Sequence, residues 1–228
     1  MSPRVEQFAP NLWRWTTPHP LWRAGDDERE GGWEQDVGSV LYARDGIVTI
    51  IDPLVAGEDD AEVWGFLDTA VRGAVAVVVA LTASWHLRSA PAVAERYDAE
   101  IRLHEIAARD DALRGVARVR AFEANAEIAP GVEGLLVAGL LQGEVAYHLP
   151  EHAALVTAEV FHGAADGLRV GEDPALASVD DLYAWVRSLD RLDLTLVLPT
   201  HGRPAPDGPG VIREALMRPP WAPGGDLG

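Results

Sequence analysis

The stretch VGSVLYARDGIVTIID, Val37 to Asp52, decides the fold class. Val37 to Tyr42 and Ile47 to Asp52 are rich in β-formers, and Arg44-Asp45-Gly46 lies between them. Asp and Gly both tolerate the positive φ that a tight hairpin demands, so the stretch predicts two antiparallel strands. Asp59 to Arg72 then places Val63, Leu67, Ala70 and Val71 on one stripe and ends at Gly73, which predicts a helix. Val75 to Leu81 is apolar on both faces, as a buried central strand would be. Ala90 to Tyr97 reads as a second helix and Glu100 to Leu103 as a short strand.

Before the hairpin, Leu12 to Thr16 reads as a first strand. After it, Glu144 to Leu149 and Ala153 to Thr157 are strand-like and are separated by the turn Pro150-Glu151-His152. Ser178 with Asp181 resembles a capping box ahead of Val179, Leu182, Val186 and Leu189, which share one helical face. Leu194 to Leu198 predicts another buried strand, broken by Pro199, and Val211 to Met217 predicts a closing helix. Strands and helices in this order predict two sheets with helices outside them. Residues 1–218 are expected to form a single domain, and Pro219 to Gly228, rich in Pro and Gly, a loose tail.

The 228 residues, 48% of them hydrophobic, suffice for one sizeable core. Absence of cysteine excludes a disulfide framework, a cysteine-ligated zinc or iron–sulfur centre and a cysteine nucleophile. A net charge of −17, with all 19 basic residues arginine, argues against nucleic acid and anionic membrane surfaces as partners. Ala74 to Leu81, the longest apolar run, falls well short of the roughly twenty residues of a membrane helix. Met1 to Phe8 does not have the pattern of a secretory signal, so a cytoplasmic location is expected.

Four landmarks then fall in a familiar order: Ile50-Ile51-Asp52, Leu81-Thr82, Thr157-Ala158-Glu159 and Leu198-Pro199-Thr200-His201-Gly202. With them the chain, from about Leu12 to Met217, resembles the metallo-β-lactamase fold superfamily. The resemblance implies an αββα sandwich of two mixed sheets, with helices on the outer faces and a site at one edge. Active members carry His-x-His-x-Asp-His after the strand matched by Val75 to Leu81. Direct matching at Thr82 puts Ala83, Trp85, Leu87 and Arg88 at those positions; one inserted residue puts Ser84, His86, Arg88 and Ser89 there. A further expected histidine falls at Leu140. Glu159 matches a bridging aspartate, His201 the last histidine, and Asp52 an aspartate beneath the metals.

The resemblance therefore leaves His86, Glu159 and His201 as the metal-ligand and catalytic set. A His₂Glu site with water could hold one zinc or other divalent metal and supply hydroxide to a small ester, thioester, lactone or amide. The alternative is a metal-free pseudoenzyme, in which Arg88 forms a forked bond to Glu159 and the cleft binds a small molecule or a protein partner. Ser84 and His86 lack the third group that a nucleophile and base need. The long segment Thr17 to Trp33 carries His19, Trp22 and Trp33, which with Trp85 could wall a ligand. It could equally pin the loop to the body or form a homodimer contact. His162 is placed at the pocket rim.

Overall fold

The computed structural model describes residues 5–28, 32–57, 60–123, 125–172, 176–205 and 210–221. The chain opens with β1 (Val5–Ala9), β2 (Leu12–Pro18), β3 (Asp36–Arg44) and β4 (Ile47–Ile51), then α1 (Ala61–Ala70), β5 (Ala76–Ala80), α2 (Ala90–Tyr97) and β6 (Glu100–His104). It continues through β7 (Val119–Phe122), β8 (Glu127–Ala129), β9 (Val132–Leu136), β10 (Val145–Leu149), β11 (Ala154–Ala164) and β12 (Gly167–Val170). It closes with α3 (Val179–Ser188), β13 (Leu196–Gly202) and α4 (Val211–Ala215). Among the described residues no helix is long and apolar enough to cross a membrane.

The β3–β4 hairpin forms as its sequence dictates: Arg44 pairs with Ile47 across two residues, Asp45 at φ 51° and Gly46 at φ 77°. Helix α1 begins where the Asp60 side chain accepts a hydrogen bond from Val63 N–H, and Gly73 follows its end at φ 82°. The Ser178 hydroxyl likewise accepts from Asp181 N–H to start α3. β4, β5, β6 and β7 then run parallel, with α1 and α2 in the crossovers.

The two predicted sheets are one. Among the described residues thirteen strands form a single mixed sheet whose main path is β7-β6-β5-β4-β3-β13-β11-β10-β9-β8. Its two wings join at the pair His201↔Val37, between β13 and β3. Side-chain alternation sorts the core. Leu41, Ile50, Val79 and Ile101 face α1 and α2; Val40, Ile51, Tyr147 and Leu198 fill the space between the wings. On the far side Leu155 and Val197 pack against Leu182 and Val186 of α3 and Ile212 of α4.

Three further expectations change. β13 runs through Pro199, which pairs with Thr157 at a point where the β11–β13 register then slips, so the missing N–H costs little. Val75 is not buried but 85% exposed, just before β5 begins. The tail is held at Trp221, which is 6% exposed and bridges to Gly171; residues 222–228 lie outside the described set.

Candidate functional site

Three chain segments meet at the sheet edge above the wing junction. Asp52 follows β4 at φ 49°, and its backbone N–H donates to Ala80 O of the neighbouring strand. Its carboxylate is buried. Oδ1 accepts Thr82 N–H at 2.8 Å and Oδ2 accepts the Thr82 hydroxyl at 2.5 Å. With that hydroxyl proton on Asp52, His86 Nδ1–H is the donor to Asp52 Oδ2 at 3.0 Å and to Thr82 Oγ1 at 2.8 Å. A 3-10 turn, Ser84–Leu87, carries His86 into this position.

Glu159 arrives from the irregular part of β11. Between the pairs Thr157↔Pro199 and His162↔His201, β11 advances five residues while β13 advances two. That bulge sets Glu159 out of the regular ladder. β12 passes so close behind it that a Cβ on Gly171 would overlap the Glu159 carbonyl oxygen, so the position needs glycine. Glu159 Oε1 lies 3.3 Å from His86 Nε2 and 3.4 Å from His201 Nε2. Neither approach has hydrogen-bond alignment, and His86 Nε2, Glu159 Oε2 and His201 Nδ1 are buried without hydrogen-bond partners. Burial pushes the Glu159 carboxyl up, but His201 and His86 outweigh it and hold the group well below the usual carboxylate range.

Arg88 ends the 3-10 turn at φ 32°, ψ −115°, a strained conformation for a residue with a Cβ. Among the described residues it forms no ion pair, so the expected fork onto Glu159 is not made, and its Nε and Nη1 are buried without partners. Burial pushes its pKa down while Asp52 and Glu159 pull it back up. Ser84 turns away from the site and donates to Asp110 at 2.6 Å.

The long loop does lean over the site. The Trp33 ring meets His201 edge-on at 5.2 Å and His19 at 4.9 Å, and Trp22 Nε1–H donates to Trp33 O. Trp33 is itself buried with Val37, Leu54 and Trp221, so it pins the loop rather than facing open space. Trp22 and Trp85 are half-buried, and the Trp85 ring lies 6.0 Å from His86. His162 is paired with Glu34 at 3.0 Å and stacks on Trp221 at 4.6 Å.

Sequence reasoning passed over three contributors. Thr82 served only as a landmark, Trp221 fell in the supposed tail, and Arg14 was not singled out within the first strand. Arg14 is buried and donates through Nη2 to Pro199 O at 3.3 Å and Gly202 O at 3.0 Å, bracketing His201. Gly38 makes room for it, because a Cβ there would overlap the guanidinium.

The geometry invites comparison with solved proteins. The chain superposes on a metallo-β-lactamase from Pontibacter korlensis with a TM-score of 0.70 at 16% identity, covering 94% of this chain and 99% of that one. The chain has the metallo-β-lactamase fold. DIM-1 metallo-β-lactamase gives a TM-score of 0.68 at 14% identity over 94% and 95% of the two chains. A metallo-β-lactamase from Erythrobacter litoralis gives 0.67 at 16% over 93% and 90%. No protein-family profile matches the sequence, and no curated protein sequence does.

A metallo-β-lactamase fold raises the question of metal, and the residues present do not fit one. Among the described residues no group of three or more His, Cys, Asp or Glu side chains is arranged to hold an ion. Metal ligands surround a point that the ion fills, each about 2.0–2.2 Å away for zinc. The 3.3 and 3.4 Å from Glu159 Oε1 to the two imidazoles are separations that neighbouring ligands of one ion can have; the misfit lies in Arg88, a fixed guanidinium cation in the segment where the ligand motif would lie.

Proposed function

We propose that this protein is a metal-free member of the metallo-β-lactamase fold that binds a small molecule at the edge site instead of hydrolysing one through a metal. One observation carries the reading: Arg88, a fixed cation with two buried guanidinium nitrogens, stands in the segment where the ligand motif would lie and acts on Asp52 and Glu159. Its positive charge faces two buried carboxylates, Asp52 and Glu159, within the site. The loop of His19, Trp22 and Trp33 covers this network and gives the site an aromatic rim.

The test is metal quantification on the full chain after challenge with zinc and with manganese, beside assays on a chromogenic ester, thioester, lactone and β-lactam. Metal content below about a tenth of an equivalent, with no metal-stimulated turnover, is expected. One equivalent of retained metal together with turnover that a chelator abolishes would establish the hydrolase instead.

A further inference from the structure

The inference concerns Arg88 and rests on the metal-free reading above. A guanidinium is a fixed fork of N–H donors, and leaving buried N–H groups without acceptors costs free energy. Arg88 Nε and Nη1 are in that state, although the residue as a whole is only half-buried and so reaches the surface. Its strained backbone at φ 32° directs this cost to one position beside the network.

His19 joins the same network through Trp33, whose ring meets both His19, at 4.9 Å, and His201, at 5.2 Å, edge-on. Its Nδ1 accepts Leu21 N–H at 3.3 Å, which fixes the proton of the neutral ring on Nε2. Burial first, and then the nearby charges of Arg88, His201 and His86, push its pKa down to about 4, so it is neutral at pH 7. The structure therefore assembles two donors, a guanidinium and a neutral imidazole N–H, with no acceptor assigned to either.

We propose that Arg88 and His19 form a binding site for the carboxylate of a small monocarboxylate with an apolar or aromatic body. A monoanion is favoured over a dianion because Asp52 and Glu159 already act on Arg88 from within. The body of the ligand would lie toward the half-buried faces of Trp22 and Trp85. Both orphaned Arg88 nitrogens are sealed from solvent, so neighbouring side chains shift to admit the ligand.

Benzoate, acetate and inorganic phosphate, titrated into the full chain and followed by tryptophan fluorescence and calorimetry, test this. Saturable benzoate binding is expected, tighter than acetate or phosphate. Arg88→Met should weaken it about 10-fold or more, and Arg88→Lys, which keeps the charge without the fork, should weaken it less. His19→Phe should also weaken it. Absence of saturable carboxylate binding overturns the proposal, as does benzoate affinity unchanged in Arg88→Met. Should circular dichroism show Arg88→Met unfolded, unchanged affinity in Arg88→Lys overturns forked recognition. Metal content separates the two readings: a metal-loaded protein defeats the metal-free function, whereas a metal-free protein that ignores benzoate defeats this site alone.

Discussion

His201 Nε2 lies 3.4 Å from Glu159 Oε1, the oxygen that His86 Nε2 meets from its own side at 3.3 Å. One carboxylate oxygen thus serves two imidazoles that come from opposite wings of the sheet. Glu159→Gln preserves shape but removes the charge that offsets His201, His86 and Arg88. Loss of about 3 kcal/mol is expected, read as a lower urea midpoint at unchanged slope.

Asp52 and Thr82 form the floor of the site. Thr82→Val keeps the volume and removes the hydroxyl shared between Asp52 Oδ2 and His86 Nδ1. A destabilisation of about 1–3 kcal/mol is expected because the partners stay buried. Chemical denaturation of Thr82→Val beside Thr82→Ser, which restores the hydroxyl, checks it.

Acid should weaken the fold in two stages. His19 has a folded pKa depressed to about 4, so between roughly 6.5 and 4 the unfolded chain binds a proton that the folded chain does not, and stability falls as pH falls. Glu159 is also depressed, so its contribution, complete above the ordinary glutamate pKa, is lost as pH drops through its folded value. His19→Gln should flatten the first stage and leave the second. Urea midpoints from pH 7 to 3 for both proteins provide the measurement.

Trp221 closes the site from the chain end, stacked on His162 at 4.6 Å and tilted over His201 at 6.0 Å. Its Nε1–H donates to Gly32 O, tying the end of the chain to the long loop. Trp221→Ala should cost about 3 kcal/mol and speed amide exchange around His162 and His201. Unchanged exchange there would mean that the residue merely covers the surface.

The hairpin, α1, α2, β6 and α3 were legible because each carries a local signal: Asp45-Gly46, the Ser178 cap, Gly73 after α1, a clean apolar stripe. β1, β7, β8, β9 and β12 were not, since each is three to five residues long and is held by pairing with a neighbouring strand rather than by a signal of its own. His86 and Glu159 could be named from the order of landmarks, and the structure brings them together. That Arg88 would miss Glu159 could not be read, because it depends on a backbone angle at Arg88 itself. Trp221 was hidden by prolines and glycines around it, which signal a loop but say nothing of what one tryptophan can anchor.

The single register pair His201↔Val37 joins the wings of the sheet. A residue at such a seam is answerable to architecture as well as to reactivity. His201 packs between Trp33 and Trp221 where the two halves close. Substitutions on the 82–89 turn leave that seam untouched, whereas a small side chain at position 201 would empty the space between the two indoles. A histidine at position 201 is thus accounted for by packing, independently of any reaction.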